Sequence, residues 1–279
     1  MTMNTNLNDM LLRTYDRLHR HYGYEPHWWP IFTANWRWEI MLGSILVQQT
    51  QWERVEQAIK ALAALDLVDE HALAAAPVAV VVEAIRPVAY YNTKAPAMIA
   101  LARHIVEHHG GQTATLFEQP TAAVRAELLR LPQIGPETAD TMLLYAGHHA
   151  VFVVDAYLRR LFGRIGSLPG ATTARYESLR ELLEGALPSD LDLRSYPHLG
   201  NSRARFFWDY HALIVEHSIH HCLARNPRCD ETSAPRRAFS QPIKCAGHCP
   251  PCGGCPLRTV CAVYRSGEVT RPSMRQGAS

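Results

Sequence analysis

At 279 residues with 47% apolar side chains, the chain is long enough for one large domain or two ordinary ones and can bury a sizeable core. A net charge of +2 excludes nucleic-acid binding driven by overall charge alone, although residues 223–279 carry nine Lys/Arg against three Asp/Glu and are locally basic. No apolar stretch reaches membrane-spanning length, and MTMNTNLNDM at the start lacks a basic region followed by an apolar run, so the expectation is a soluble intracellular protein without a membrane partner.

Helical periodicity then runs along nearly the whole chain. NDMLLRTYDRLHRHYG has apolar positions at helical spacing and ends on Gly23. WRWEIMLGSILVQQT and WERVEQAIKALAAL predict two more helices, followed by TKAPAMIALARHIVEHHGG and TAAVRAELLRL. A helix begins at Pro136, and AYLRRLFGRIG, YESLRELLEGAL and the long SRARFFWDYHALIVEHSIHHC come after it. No run of alternating strand residues and no internal repeat interrupts the series, so the fold class is all-α.

Two features carry chemistry. In LPQIGPETAD, a helix ends near Leu129–Arg130, a tight turn contains Gly135, and Pro136 suits the first position of a new helix. A glycine there allows backbone geometry that other residues resist. The unpaired N–H groups of the new helix can face a phosphate. An ordinary tight αα-turn has the same pattern. Twenty residues after Gly135, Asp155 opens a helix with Arg159 and Arg160 on its first turns, as an N-cap or as a working carboxylate.

The seven cysteines, Cys222, Cys229, Cys245, Cys249, Cys252, Cys255 and Cys261, all lie in the last quarter of the chain. A disulfide-rich secreted domain spreads its cysteines, whereas clustering favours a metal or iron–sulfur site. The surrounding segment is rich in Pro, Ser, Gly and Cys and reads as irregular structure held by a metal.

A hairpin followed by this Asp resembles the endonuclease III, or helix-hairpin-helix (HhH-GPD), superfamily of DNA glycosylases. The similarity runs from about Ile40 to Cys261: ILVQQT, YYNTKA, the hairpin, VVDAYLRR and YHALIVEH…C fall in the family's order. PHWWP, VQQTQWERV and the GPETAD form of the hairpin are most similar to the 3-methyladenine (methylpurine) branch.

The resemblance implies a two-lobed all-α fold. One helical domain covers 31–149 with the hairpin at 131–140. The other joins 1–30 to 150–279 and carries a cluster loop at about 222–261. Asp155 becomes the catalytic carboxylate, stabilising an oxocarbenium-like sugar or orienting water. Bifunctional members carry a Lys where this chain has Glu137. A carboxylate cannot form their Schiff base, so a monofunctional enzyme without AP lyase activity is expected.

Trp28, Trp29, Pro30 and Trp52 become the base pocket. Indole faces attract a cationic alkylated purine once it is extruded from the stack. Trp36 and Trp38 are expected in the core. Gln49 and Tyr90 match positions that fill the gap left by the flipped nucleotide, and Ile134, Gly135, Glu137 and Thr138 present the hairpin to DNA. Tyr145, His211 and Glu216 could line the pocket but are expected to be structural polar groups.

Family members also bind a [4Fe–4S] cluster through C-x6-C-x2-C-x5-C. Here Cys222-x6-Cys229 follows the helix, while Cys245-x6-Cys252-x2-Cys255-x5-Cys261 repeats the full spacing downstream. The expected ligands are Cys222, Cys252, Cys255 and Cys261. Cys245 is an alternative to Cys222, Cys229 an alternative to Cys252, and zinc the alternative metal.

The expected function is excision of 3-methyladenine or 7-methylguanine from double-stranded DNA with a damaged base, in base excision repair. The expected protein is a bacterial, cytoplasmic, nucleoid-associated monomer. The alternatives are a glycosylase for oxidised pyrimidine, uracil or mismatched thymine, and a non-catalytic DNA-binding protein.

Overall fold

The computed structural model describes residues 2–168, 170–187, 190–230 and 254–267. Among the described residues every regular element is helical and none is a strand: α1 (Thr2–Tyr22), α2 (Trp36–Leu46), α3 (Trp52–Ala63), α4 (Glu70–Ala75), α5 (Val78–Ala84), α6 (Tyr91–His109), α7 (Thr113–Leu116), α8 (Thr121–Leu128), α9 (Pro136–Tyr145), α10 (Ala156–Ile165), α11 (Tyr176–Ala186), α12 (Arg203–His220) and α13 (Ala262–Arg265), with a 3-10 turn at Pro197–Leu199. The long periodic segments become helices as expected. The short helices α4, α5 and α7 span too few turns to show a period in sequence. No described helix is long and apolar enough to cross a membrane.

The chain divides into two compact units. An internal unit comprises Pro26–Val153 with Asp192–Trp208, and a terminal unit comprises Met1–Glu25, Val154–Leu191 and Asp209–Ser279. Sequence reasoning placed all of 150–279 together. Residues 192–208 instead join the internal unit, where the Trp208 ring packs 6.4 Å from Trp28 and 5.6 Å from Tyr145.

α2 is the centre of the internal unit. Every residue from Trp38 to Leu46 is buried, as expected for a helix that is apolar on nearly all sides. Its one buried carboxylate, Glu39, is satisfied by the chain just before it: Oε1 accepts from Phe32 N at 2.8 Å, and Oε2 accepts from Thr33 N and Oγ1 at 2.7 Å each. This fixes the turn that feeds α2. Gly43 lets Trp29 lie on the same helix, since a Cβ there would meet the indole at 3.1 Å. α9 packs on α2 and α8 packs on α9. Arg125 of α8 and the fully buried Asp140 of α9 join the last two through Nε–Oδ1 at 2.6 Å and a second bond at 3.3 Å.

In the terminal unit, Leu11, Tyr15 and Leu18 line the buried face of α1. Each fully buried side chain of this size contributes about 1.5–3 kcal/mol. Tyr15 Oη donates to Asp209 Oδ2 at 2.6 Å, and Tyr210 Oη donates back to Leu11 O at 2.8 Å, so α1 and α12 are cross-bonded through buried tyrosines. α11 packs on α1 and α13 on α10.

The Arg125–Asp140 pair generates a stability prediction. Arg125→Met leaves a buried carboxylate without its main partner and should cost about 3 kcal/mol, read as a lower urea midpoint. Adding Asp140→Leu should restore part of the loss, whereas additive losses would mean the pair does not couple α8 to α9.

Candidate functional site

The hairpin joins α8 to α9 through residues 129–135. Gly135 is the N-cap of α9 and Pro136 its first residue, as the sequence predicts. The reason for the glycine differs from the expected one. Gly135 has φ −89°, which any residue adopts, and the left-handed residue of the turn is Gln133 at φ 61°. A Cβ on Gly135 would meet nothing within 4 Å. The fold therefore does not require glycine here; what glycine provides is close access to exposed backbone at the positive end of a helix.

Ile134 is buried beneath the turn, and Glu137 is exposed in the first turn of α9, where an acid favours the helix N-terminus. Thr138 is buried rather than displayed. Its Oγ1 accepts from Gln48 Nε2 at 2.9 Å, and the same nitrogen donates to Gln133 O at 3.0 Å. Gln48, which sequence reasoning passed over, thus ties the hairpin to the α2–α3 turn. The two turns line one groove of about 550 Å³ that includes Gln48, Gln49, Gln133, Ile134, Gly135 and Glu137.

Gln49 and Tyr90 share an unusual backbone. Gln49 is exposed at φ 54°; Tyr90 is 63% exposed at φ 57° and caps α6. Left-handed geometry at non-glycine residues costs roughly 1–3 kcal/mol and marks places where the surroundings over-determine the chain. The surroundings here are Lys94, buried to 1% exposure one turn into α6. Its ammonium donates to Leu46 O at 2.8 Å, Gln48 O at 2.6 Å and Thr50 Oγ1 at 3.2 Å, and Thr50 Oγ1 also accepts from Ala89 N at 3.1 Å. Burial pushes the Lys94 amine down to about 8. The signal for Lys94 was present in YNTKA, as the one charge on an otherwise apolar helical face.

Five aromatic rings of the internal unit form a continuous cluster. Trp29 lies 5.1 Å from Tyr145 and 5.5 Å, edge-on, from Trp52; Trp28 lies 5.8 Å from Tyr145, which lies 5.6 Å from Trp208. Trp29, Trp52 and Tyr145 are buried, whereas Trp28 and Trp208 are half-buried and keep exposed ring surface. Trp29 and Trp52 are therefore the packed floor of the cluster rather than free faces. Pro30 follows the pair and is half-buried. Trp208 escaped sequence reasoning because it lies far along the chain, and Tyr145 was read as structural. Trp38 is wholly buried, as expected, while Trp36 is half-buried under the Arg37 guanidinium at 4.3 Å.

In the terminal unit, Asp155 is the N-cap of α10 and 7% exposed. Its Oδ1 accepts from Leu158 N at 2.7 Å, and Oδ2 lies 3.5 Å from His211 Nε2 on α12. The cap holds the carboxylate at the positive end of a helix and leaves one oxygen beside an imidazole. His211, expected to be merely structural, thus touches the candidate catalytic acid. Glu216 pairs with His220 at 2.9 Å within α12, as a structural group.

Cys222, Cys229 and Cys255 are buried, and Cys261 is half-buried. The four thiols lie within one another's electrostatic reach. Burial first, then Cys261, Cys222 and Asp230, push the Cys229 thiol up to about 11; burial, then Cys229, Cys222 and Cys261, push Cys255 up as well. Arg164 Nη1 donates to Cys222 Sγ at 3.2 Å. Gly254 adopts φ 101°, and a Cβ on it would sit 2.8 Å from Cys229 O, so the approach of the two segments requires glycine. Cys245, Cys249 and the expected ligand Cys252 lie outside the described residues.

The family model for HhH-GPD superfamily base excision DNA repair proteins matches residues 42–188. A Methanocaldococcus jannaschii protein named only provisionally as a DNA repair glycosylase is 36% identical over 82% of this chain and 95% of its own length. Endonuclease III of Thermotoga maritima is 26% identical over 69% of this chain and 78% of its length. Among solved structures, an H. pylori 3-methyladenine DNA glycosylase (MagIII) bound to 1,N6-ethenoadenine superposes with TM-score 0.59 at 25% identity, covering 75% of this chain and 95% of that one. A trapped endonuclease III–DNA covalent intermediate shares the fold, with TM-score 0.67 at 17% identity, covering 94% of this chain and 98% of that one. A helical fold, a hairpin with a bare glycine cap and a family match across half the chain lead to one assignment: the chain belongs to the HhH-GPD superfamily of base excision DNA repair proteins.

Proposed function

We propose that the protein is a monofunctional DNA glycosylase that releases alkylated purines such as 3-methyladenine and 7-methylguanine from double-stranded DNA, acting as a monomer in the cytoplasm. The observation that carries the substrate class is the five-ring cluster of Trp28, Trp29, Trp52, Tyr145 and Trp208. Alkylation at N3 or N7 gives the purine a positive charge, and the half-buried indoles of Trp28 and Trp208, backed by the packed rings of Trp29, Trp52 and Tyr145, attract a cation by about 0.5–2 kcal/mol each. The same charge makes the base a good leaving group, so little further activation is needed. Likeness to the H. pylori 3-methyladenine enzyme supports this reading.

In this reading the backbone N–H groups at Gly135 and the start of α9 hold a DNA phosphate, and Gln49 and Tyr90 fill the space of the extruded nucleotide. Asp155 is held at its helix cap and offers Oδ2 to the positive charge that develops on the sugar as the glycosidic bond breaks, or orients the attacking water. Glu137 stands where an amine nucleophile would be needed for strand cleavage, so the product is an intact abasic strand.

The thiols of Cys222, Cys229, Cys255 and Cys261 fit a four-thiolate iron–sulfur or metal centre in donor type and number, and a [4Fe–4S] cluster is the reading the family favours. With Cys229 as second ligand, the family's x6 and x5 spacings are kept, and residues 230–254 stand where its two-residue spacing would be. Such a group would hold the segment around it and take no part in the reaction.

Free base is measured after incubation with methylated DNA and, separately, with oxidised-pyrimidine DNA. Methylpurine release, with strand breaks only after alkali and no borohydride-trapped adduct, is expected; release of an oxidised pyrimidine or a trapped adduct would overturn the reading of the aromatic cluster or of Glu137. Release of neither, with uracil or mismatched thymine released instead, would move the substrate class.

Two variants separate chemistry from binding. Asp155→Asn should slow base release by on the order of 10²–10³ while DNA affinity stays within a few-fold. Trp28→Ala should slow release of cationic purines by about 2–30-fold, the range of one lost cation–π contact.

Gly135→Ala isolates the hairpin. Its Cβ meets open space in the free protein, so the melting temperature should hold while DNA binding weakens across all sequences. Unchanged binding would remove the phosphate from this turn.

A further inference from the structure

The last two turns of α6 carry His104, His108 and His109, residues that the proposed reaction does not use. His104 Nε2 lies 2.6 Å and His109 Nε2 2.5 Å from the same oxygen, Oε1 of Glu127 on α8. The three ligand-type atoms lie within 4.8 Å of one another. Gln119 Nε2 donates to the other carboxylate oxygen at 3.2 Å and fixes the carboxyl plane. The side chains are 18%, 7% and 16% exposed in the order His104, His109, Glu127, so the group is recessed but open to solvent. His108 is exposed, with its ring 4.5 Å from that of His104.

We propose that His104, His109 and Glu127 bind one divalent transition-metal ion, zinc by its donor set, with the fourth position open on the His108 side. Two imidazole nitrogens and one carboxylate oxygen make a common zinc donor set, with bonds of about 2.0–2.2 Å. Tetrahedral ligands at that bond length stand about 3.3 Å apart, so the present contacts need open by less than about 1 Å. The partial negative charge at the C-terminal end of α6, which closes on left-handed Gly110, also favours a cation.

Desolvation raises the Glu127 pKa, but hydrogen bonds from His109, His104 and Gln119 outweigh it and hold the carboxyl down to about 2. The acid is therefore an anion at neutral pH, and the two imidazole rings supply the other donors. A bound ion would join the end of α6 to α8, the helix that leads into the hairpin turn. The site is separate from the cysteine group and independent of the reading of the enzyme's substrate.

The full-length protein, with its cysteine site as purified, is titrated with Co²⁺ and then Zn²⁺ after desalting. One equivalent bound with weak visible cobalt bands, and without the strong near-ultraviolet absorption of thiolate ligation, is expected. H104Q, H109Q and E127Q should each weaken it by about tenfold or more, and H108A by less. Equal uptake by H104Q/H109Q and the parent would overturn the proposal, as would no uptake by the folded parent. If the double variant loses helicity, the single variants decide by the same criterion, and zinc-induced shifts of two imidazole spin systems in the parent provide a readout that needs no substitution.

Discussion

The Lys94 ammonium, sealed beneath the surface, donates to two backbone carbonyls and a hydroxyl in the turn that follows α2. Taking a charged amine out of water is costly, and only several oxygen partners offset it. The return is positional. One side chain of α6 holds the end of α2, the turn that leads to α3 and, through Thr50, the backbone of Ala89. Gln49 and Tyr90 flank this knot in left-handed conformations that a looser surrounding would let relax. Gln48, held in the same turn, reaches across to the hairpin. Gln49 and Tyr90, the displayed residues of these two turns, thus flank one buried cation.

A comparable economy governs Asp155. Capping a helix and, in the proposed reaction, stabilising positive charge on a sugar both use a fixed, well-oriented carboxylate, so the two duties would not compete. The arginines that follow it on α10 do not face outward for phosphates. Arg159 donates to Ala171 O and Ala174 O, Arg160 to Cys222 O at 2.7 Å, and Arg164 to Leu223 O and Ala224 O. The helix headed by the carboxylate is therefore bonded to the segment that carries the first cysteine of the group.

What the sequence disclosed, and what it concealed, follows the range of the interactions. Helices of ten residues or more announce themselves by period, and Pro136 and Asp155 mark helix starts through local rules. Trp208 and Tyr145 could not be joined to Trp28 by any local rule, because ring packing across more than a hundred residues leaves no spacing signature. Gln48 was masked by its neighbour: both are glutamines, and only the backbone twist at Gln49 decides which points inward. Thr138 looked like a hairpin contact because its position matched, but burial gave its hydroxyl to Gln48. Gly135 was located correctly and explained wrongly, since the strained residue of that turn is Gln133.

Cys255 N donates to Cys229 O at 2.9 Å, so the chain returns beside the point it left. Asp230, at the departure, accepts from Tyr264 Oη at 2.6 Å and lies 3.6 Å from Arg258, while Gly254 supplies the only backbone that fits at the return. A pinned neck of this kind separates the length of an excursion from the geometry at its base. Lengthening a closed loop from two residues to about twenty-five adds only about 2 kcal/mol of closure entropy. The contacts at Asp230 and Gly254 therefore set where Cys229 and Cys255 meet, whatever the number of residues between them. The neck, rather than the spacing of cysteines along the chain, is where the fold can accept new material.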